Sequence, residues 1–415
     1  MTKKVSGKFI VKICLIISLI GIMSINYMCN VFDRQNTQFT DFQLDSESLV
    51  MGAILADQNG IADNSYGLGI YQADTNTYTS YVSQIGLQGK IFRGIAKYAD
   101  ANSIFNKLHL LCCGLLALVL TSISIFIYKK YNMIMAGVFY VVFLLSPWIV
   151  NFARNLYWVE FTWFLPMLVG LICSFYIEKS NIRRWCYIGA YITVMLKCMC
   201  GYEYITTIMM GMISFLTVDF IVNLANRQYK KVWLHGKTIV IIGVMAVLAF
   251  LTVICIHANI RGNGNLLLGI KDIIDNDVLR RTLGGDASKF DPILADSLNA
   301  SIIDVVRKYY QFQTEIIFLI PGKLFLLISI LPLLFFVFDK KIINKLDLNE
   351  VVLYVVFWAT SISWFILGKA HSYIHTHINF VIWYFGYVQI CMYSICVHLK
   401  KCIEKIRNFT NIEKV

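Results

Sequence analysis

The chain has 415 residues, 58% of them hydrophobic and 15% charged, with a formal net charge of +12. A soluble domain carries about a quarter charged residues, so an ordinary water-soluble globule is excluded. The apolar residues come in blocks of roughly twenty, the length a helix needs to cross a hydrocarbon core, and the strict alternation of a membrane barrel is absent. The predicted class is all-α, a polytopic membrane protein.

Backbone groups in lipid must be satisfied within their own segment, so each block reads as a helix. In chain order the blocks are 9–29, 107–128, 132–150, 162–177, 185–203, 204–224, 238–257, 322–338, 351–368 and 380–398. They predict about ten transmembrane helices in a single integral membrane domain, 1–415. The first block has a basic start and runs from Phe9 to Met28 with no small-x-small cleavage site after it, which predicts an uncleaved signal anchor.

Basic residues gather on one side of this layout. They occur at Lys3, Lys4 and Lys8, at Lys129 and Lys130, at Arg183 and Arg184, at Lys230 and Lys231, at Lys340, Lys341 and Lys345, and at Lys400, Lys401 and Lys405. The short loops on the other side hold Arg154, Lys197 and Lys369, one each. The positive-inside rule then predicts cytoplasmic N- and C-termini in a multi-pass protein of the plasma membrane. Topology accounts for the positive charge, so a nucleic-acid partner is not required. The 12 cysteines lie mostly within blocks or at their ends. Cys198 and Cys200 can bind a metal, although buried thiols more often serve as small apolar packing.

Two long segments, 31–106 and 257–321, are predicted as outer loops. In the first, Asp45 or Ser46 would cap a surface helix through Ser48–Ala56, with Glu47 suited to its first turn. A Gly-, Asn- and Tyr-rich stretch follows, and then a second surface helix from Lys90 to Asp100. The second segment holds Arg280, Arg281 and Asp286 in a polar stretch and an amphipathic run from Ile293 to Tyr310. Ordered loops of this length in a compact protein are usually functional.

The layout, with Asp45-Ser46-Glu47-Ser48-Leu49 leading into a surface helix and Arg154 to Glu160 between the third and fourth blocks, resembles the GT-C superfamily of membrane glycosyltransferases. The resemblance implies transfer of a sugar from a polyprenyl-phosphate donor, with an acidic catalytic residue in the first outer loop. Asp45, Glu47 and Glu160 match the acidic positions. A serine separates Asp45 from Glu47, where the family often has adjacent acids, so either residue can be the match.

Glycosyl transfer needs a carboxylate to deprotonate or orient the acceptor, sometimes with a divalent metal, and cations to stabilise the departing phosphate. The acids are Asp45, Glu47 and Glu160, with helix capping as the alternative for the first two and an ion pair to Arg154 as the alternative for the third. Arg154, Lys197 and Lys369 form an anion site if their loops converge. His371, His375 and His377 complete the tightest polar cluster, where phosphate binding, zinc binding, acid–base work and a structural role all remain open. The expected function is a membrane glycosyltransferase acting on an envelope glycan, lipid or protein acceptor. A polysaccharide polymerase is the nearest alternative, and a lipid-linked-glycan flippase the next.

Overall fold

The computed structural model describes residues 7–412 apart from 35, 37, 99–100, 283–285, 290, 313 and 344–345. Lys3, Lys4, Lys345 and Asp100 therefore lie outside the described residues. The chain is mostly helical.

The first half holds α1 (Gly7–Cys29), α2 (Leu44–Gln58), a hairpin of β1 (Gly69–Gln72) and β2 (Thr77–Ser80), α3 (Leu87–Ala96), α4 (Ala101–Lys130), α5 (Met133–Leu145), α6 (Pro147–Ala153), α7 (Phe161–Phe175) and α8 (Ser180–Cys200). The second half holds α9 (Ile205–Ala225), α10 (Tyr229–Arg261), α11 (Leu266–Ile273), α12 (Leu279–Arg281), α13 (Pro292–Asn299), α14 (Ile302–Gln311), α15 (Phe325–Phe338), α16 (Leu348–Leu367), α17 (Lys369–Ile374), α18 (Thr376–Asn379) and α19 (Tyr387–Ile412).

Among the described residues, six helices are long and apolar enough to cross a membrane. The bent pairs α5–α6, at 60°, and Thr376–Tyr384 with Tyr387–Glu404, at 52°, raise that to eight if each is one span. The two remaining blocks fall short of the expected ten for visible reasons. Helix α7 has 15 residues, and α8 carries Arg183, Arg184 and Lys197. The first bend is written locally: Ser146 ends α5, caps α6 through the Ile149 N–H, and precedes Pro147 at the first helical position.

Helix α9 packs against α7, α10 and α16, while α4 lies between α1 and α7. A Cβ on Gly170 of α7 would overlap the Met212 carbonyl of α9. The small residue thus permits the close approach by which helices associate in lipid. Asp219 of α9 pairs with Lys130 at 2.7 Å and accepts from Ser174 at 2.6 Å.

The long segments depart from expectation in detail. Helix α2 begins at Leu44 behind a left-handed Gln43, φ 54°, with no side-chain cap, so Asp45 is not its capping residue. Its buried face packs on β1 and α3. The Gly- and Tyr-rich stretch pairs as an antiparallel hairpin, Gly69 opposite Ser80. The run Ile293–Tyr310 is two helices, because Ser301 and Asp304 form a capping box that starts α14 afresh.

Candidate functional site

A cavity of about 310 Å³ collects side chains from six separate parts of the chain: Tyr81, Tyr157 with Trp158, Glu203, Arg280 with Arg281, Leu294, and His371 with His375. Each wall has an identifiable local cause. The arginines follow a π-helical turn, Ile274–Val278, that buries Asp277. Asp277 then pairs with Arg261, with Arg280 at 3.7 Å and with Arg281 at 3.6 Å. A π turn rotates the residues after it relative to an ordinary helix and recurs at functional sites. Burial opposes the charge of Arg281, but the carboxylates of Glu203 and Asp277 outweigh it and raise its pKa.

The histidines are placed by the second long segment. Lys369 donates to the carbonyls of Leu298 and Ala300, the latter at 2.6 Å, at the end of α13. The Tyr309 hydroxyl donates to Ser372 O at 2.9 Å, and Lys308 to Tyr373 O at 2.9 Å. Helices α13 and α14 are thereby fastened onto α17.

Asn379 accepts the Tyr204 hydroxyl at 2.8 Å and turns its Nδ2 to His371 Nδ1 at 3.0 Å. That polarity makes Nδ1 the acceptor and places the ring proton of neutral His371 on Nε2. Burial, then the charges of His375, Arg281 and Arg280, hold His371 well below the usual histidine range. Burial with His377 and Arg281 pushes His375 down to about 4, opposed by Asp45. Two neutral imidazoles and two permanent cations thus share one cavity, a donor-rich set suited to an anion.

The expected residues separate into two groups. His371 and His375 line the cavity, and His377 is exposed beside them, its ring 5.6 Å from that of His375. Asp45 is exposed on the first turn of α2, within electrostatic reach of His375 and His377.

The others do not join this cluster. Glu47 is buried, accepting from His109 at 2.8 Å and from the Leu156 N–H at 2.9 Å, so it anchors α2 to α4. Glu160 is 1% exposed and neither carboxyl oxygen has a hydrogen-bond partner, so the expected ion pair with Arg154 does not form. Burial pushes Glu160 well above the carboxylate range.

The cations Arg154, Lys197 and Lys369 do not converge. Arg154 lies over the Phe39 ring at 5.3 Å, Lys197 donates to Gly201 O at 2.7 Å, and Lys369 caps α13. None of them lines the cavity. Among the described residues no carboxylate lies within ion-pair distance of Lys197 or Lys369, so each ammonium satisfies carbonyls, because an unpaired one is costly. Among the described residues, no three His, Cys, Asp or Glu side chains are grouped to hold a metal ion.

Sequence reasoning passed over Arg280, Arg281 and Glu203 as site residues. The adjacent arginines in a long loop were a signal, but their position behind a π turn was not readable from periodicity. Gly201, φ 155°, precedes Glu203, and a Cβ there would crowd Glu203 Oε2 at 2.6 Å and Gln84 Oε1 at 2.7 Å. Gly201 therefore leaves the room that Glu203 occupies. No family model, curated protein or solved structure matches the chain.

Proposed function

We propose that the protein is a GT-C-like membrane glycosyltransferase that moves a sugar from a polyprenyl-phosphate-linked donor to an envelope glycan, lipid or protein acceptor. In this reading about ten segments cross the plasma membrane, both termini are cytoplasmic, and 31–106 and 257–321 are outer loops bearing the site.

The observation that carries the proposal is the cavity in which Arg280, Arg281, His371 and His375 meet with Asp45 in reach. An acceptor hydroxyl attacks the anomeric carbon of the donor. The bond from that carbon to the phosphate oxygen breaks, and its electron pair leaves on the phosphate. Asp45 takes the hydroxyl proton, while Arg281 and Arg280, with the Nε2–H of His371, stabilise the negative charge of the leaving group. Tyr81, Tyr157 and Trp158 wall the cavity and limit water access, which strengthens those charge interactions. The cationic cavity also suits a polymerase joining lipid-linked units.

The test is carrier release by the purified protein in lipid nanodiscs, supplied with a panel of polyprenyl-phosphate sugars. Wild type should release carrier, Asp45→Asn should not, and Arg281→Gln should need a higher donor concentration for the same rate. Release by Asp45→Asn at the wild-type rate would transfer the acid role to Glu203. Failure of the wild type with every donor would refute the transferase.

A further inference from the structure

A second cavity, of about 780 Å³, opens where the residues after α1 meet the end of the second long segment. Its polar lining includes Asp33, Arg34, Asn36, Asn151 and Glu315, and its apolar lining includes Phe42 and Trp148. It shares no lining residue with the arginine–histidine cavity. The two are separated by an aromatic wall: Phe42 packs on Phe152 at 4.8 Å, and Phe152 packs on Trp158 of the first cavity at 5.3 Å.

The lining is built rather than incidental. Asn151 is 7% exposed, and its Oδ1 accepts from Asn36 at 2.9 Å. Its amide nitrogen has no acceptor among the described residues, although the side chain lines the cavity. Asp33 Oδ2 is buried and equally without a partner there. The Trp148 indole donates to Glu315 O at 2.9 Å, which ties the two walls together. The unpaired amide nitrogen of an otherwise buried side chain and the Asp33 and Glu315 carboxylates lining the same cavity suit a ligand that offers both hydrogen-bond roles.

From this juxtaposition of unmatched planar polar groups with the Trp148 and Phe42 rings, we propose that the cavity is a subsite for a non-acidic glycan. Sugar hydroxyls both donate and accept, so one sugar unit serves a carboxylate and an amide together. The C–H face of a pyranose packs on an aromatic ring. The lining carries two carboxylates, Asp33 and Glu315, against one guanidinium, Arg34, and the excess negative charge disfavours an anionic sugar. The proximity of the two carboxylates also pushes the Glu315 carboxyl upward, after burial as the first cause. A neutral or amino-bearing saccharide meets no such repulsion. As the place of a glycan acceptor, one aromatic layer from the leaving phosphate, the subsite rests on the transferase reading; as a binding site it does not.

The test uses the full-length protein in nanodiscs with no donor present, titrated with tetrasaccharides of glucose, glucosamine and galacturonate. Binding is followed by saturation-transfer NMR and tryptophan fluorescence. The glucose or glucosamine tetramer should bind and the galacturonate tetramer should not. Asp33→Asn and Glu315→Gln should each weaken binding by about tenfold, the worth of one hydrogen bond to a charged group. Glu315 is exposed, so Glu315→Gln keeps its fold and remains informative if Asp33→Asn does not. Binding of galacturonate as tightly as glucose, or of no tetramer at all, would overturn the subsite. Tetramer binding without carrier release from any donor would refute the transferase and leave the subsite standing. Carrier release without tetramer binding would do the reverse.

Discussion

Glu47 Oε1 lies 2.8 Å from His109 Nε2, in a buried contact that fastens α2 to α4, and the same oxygen accepts the Leu156 N–H at 2.9 Å. Two residues earlier Asp45 is exposed, and its charge acts on His375 and His377. Two residues, about half a turn of helix, therefore separate an acid held in a buried contact from an exposed acid to which the proposed mechanism gives the proton transfer. Glu47→Ala should destabilise the protein by about 2–4 kcal/mol, between the loss of a neutral hydrogen bond and that of a buried ion pair. Asp45→Asn should leave the melting temperature in nanodiscs unchanged while abolishing carrier release. Equal melting of Glu47→Ala and wild type would refute the structural role.

Arg281 is the cation of the cavity most tightly held, with Asp277 at 3.6 Å and the charge of Glu203 nearby. Its guanidinium supplies charge-assisted bonds worth about 1.5–3 kcal/mol each, so Arg281→Gln should raise the donor KM by about 10- to 100-fold. Arg281→Lys should recover only part of that, because an ammonium cannot make the planar two-point contact. Steady-state kinetics across the three proteins checks the order. A Gln variant with unchanged KM would remove the arginine from the phosphate.

The helical blocks were legible because twenty apolar residues in a row have few alternatives in lipid, whereas the end of α13 was not, because the amphipathic pattern runs on through the Ser301 capping box. The site was half legible. His371, His375 and Asp45 stood out as clustered or isolated polar residues, and the cavity brings the first two together with Asp45 in reach. Arg154, Lys197 and Lys369 looked equivalent as lone cations on short loops, yet each finds a ring or a carbonyl close by in the chain or the fold. A charge count cannot say which cation has a local acceptor. The π turn before Arg280 and the long-range contact of Glu47 with His109 are tertiary facts with no period in the sequence.

The neutral histidines set a pH dependence whose sign is fixed. An unfolded histidine titrates near 6.5, and burial with neighbouring cations lowers His375 to about 4 and holds His371 low as well. Between these values the unfolded chain binds more protons than the folded one, so stability rises with pH across that window. The stabilisation is fully present above about pH 6.5 and is lost as pH falls toward 4. Melting temperature in nanodiscs should therefore drop from pH 7 to pH 5, and His375→Gln should flatten the slope. A slope unchanged by His375→Gln would show that the histidine is not held neutral.

Sequence alone assigned Lys369 to phosphate, whereas in the fold its ammonium reaches from α17 to the end of α13. The final carbonyls of a helix have no partner within it and carry the negative end of its dipole. Lys369 answers two such carbonyls, at Leu298 and Ala300, while Tyr309 and Lys308 hold the neighbouring turn of α17. Lys369→Met keeps the length of the side chain and removes its donors. It should speed amide hydrogen exchange across residues 292–311, where α13 and α14 lose their clamp, and lower kcat by loosening His371 and His375. Donor KM should change less than in Arg281→Gln, since the ammonium does not line the cavity. Exchange as slow as wild type, together with a KM as high as that of Arg281→Gln, would return Lys369 to the phosphate.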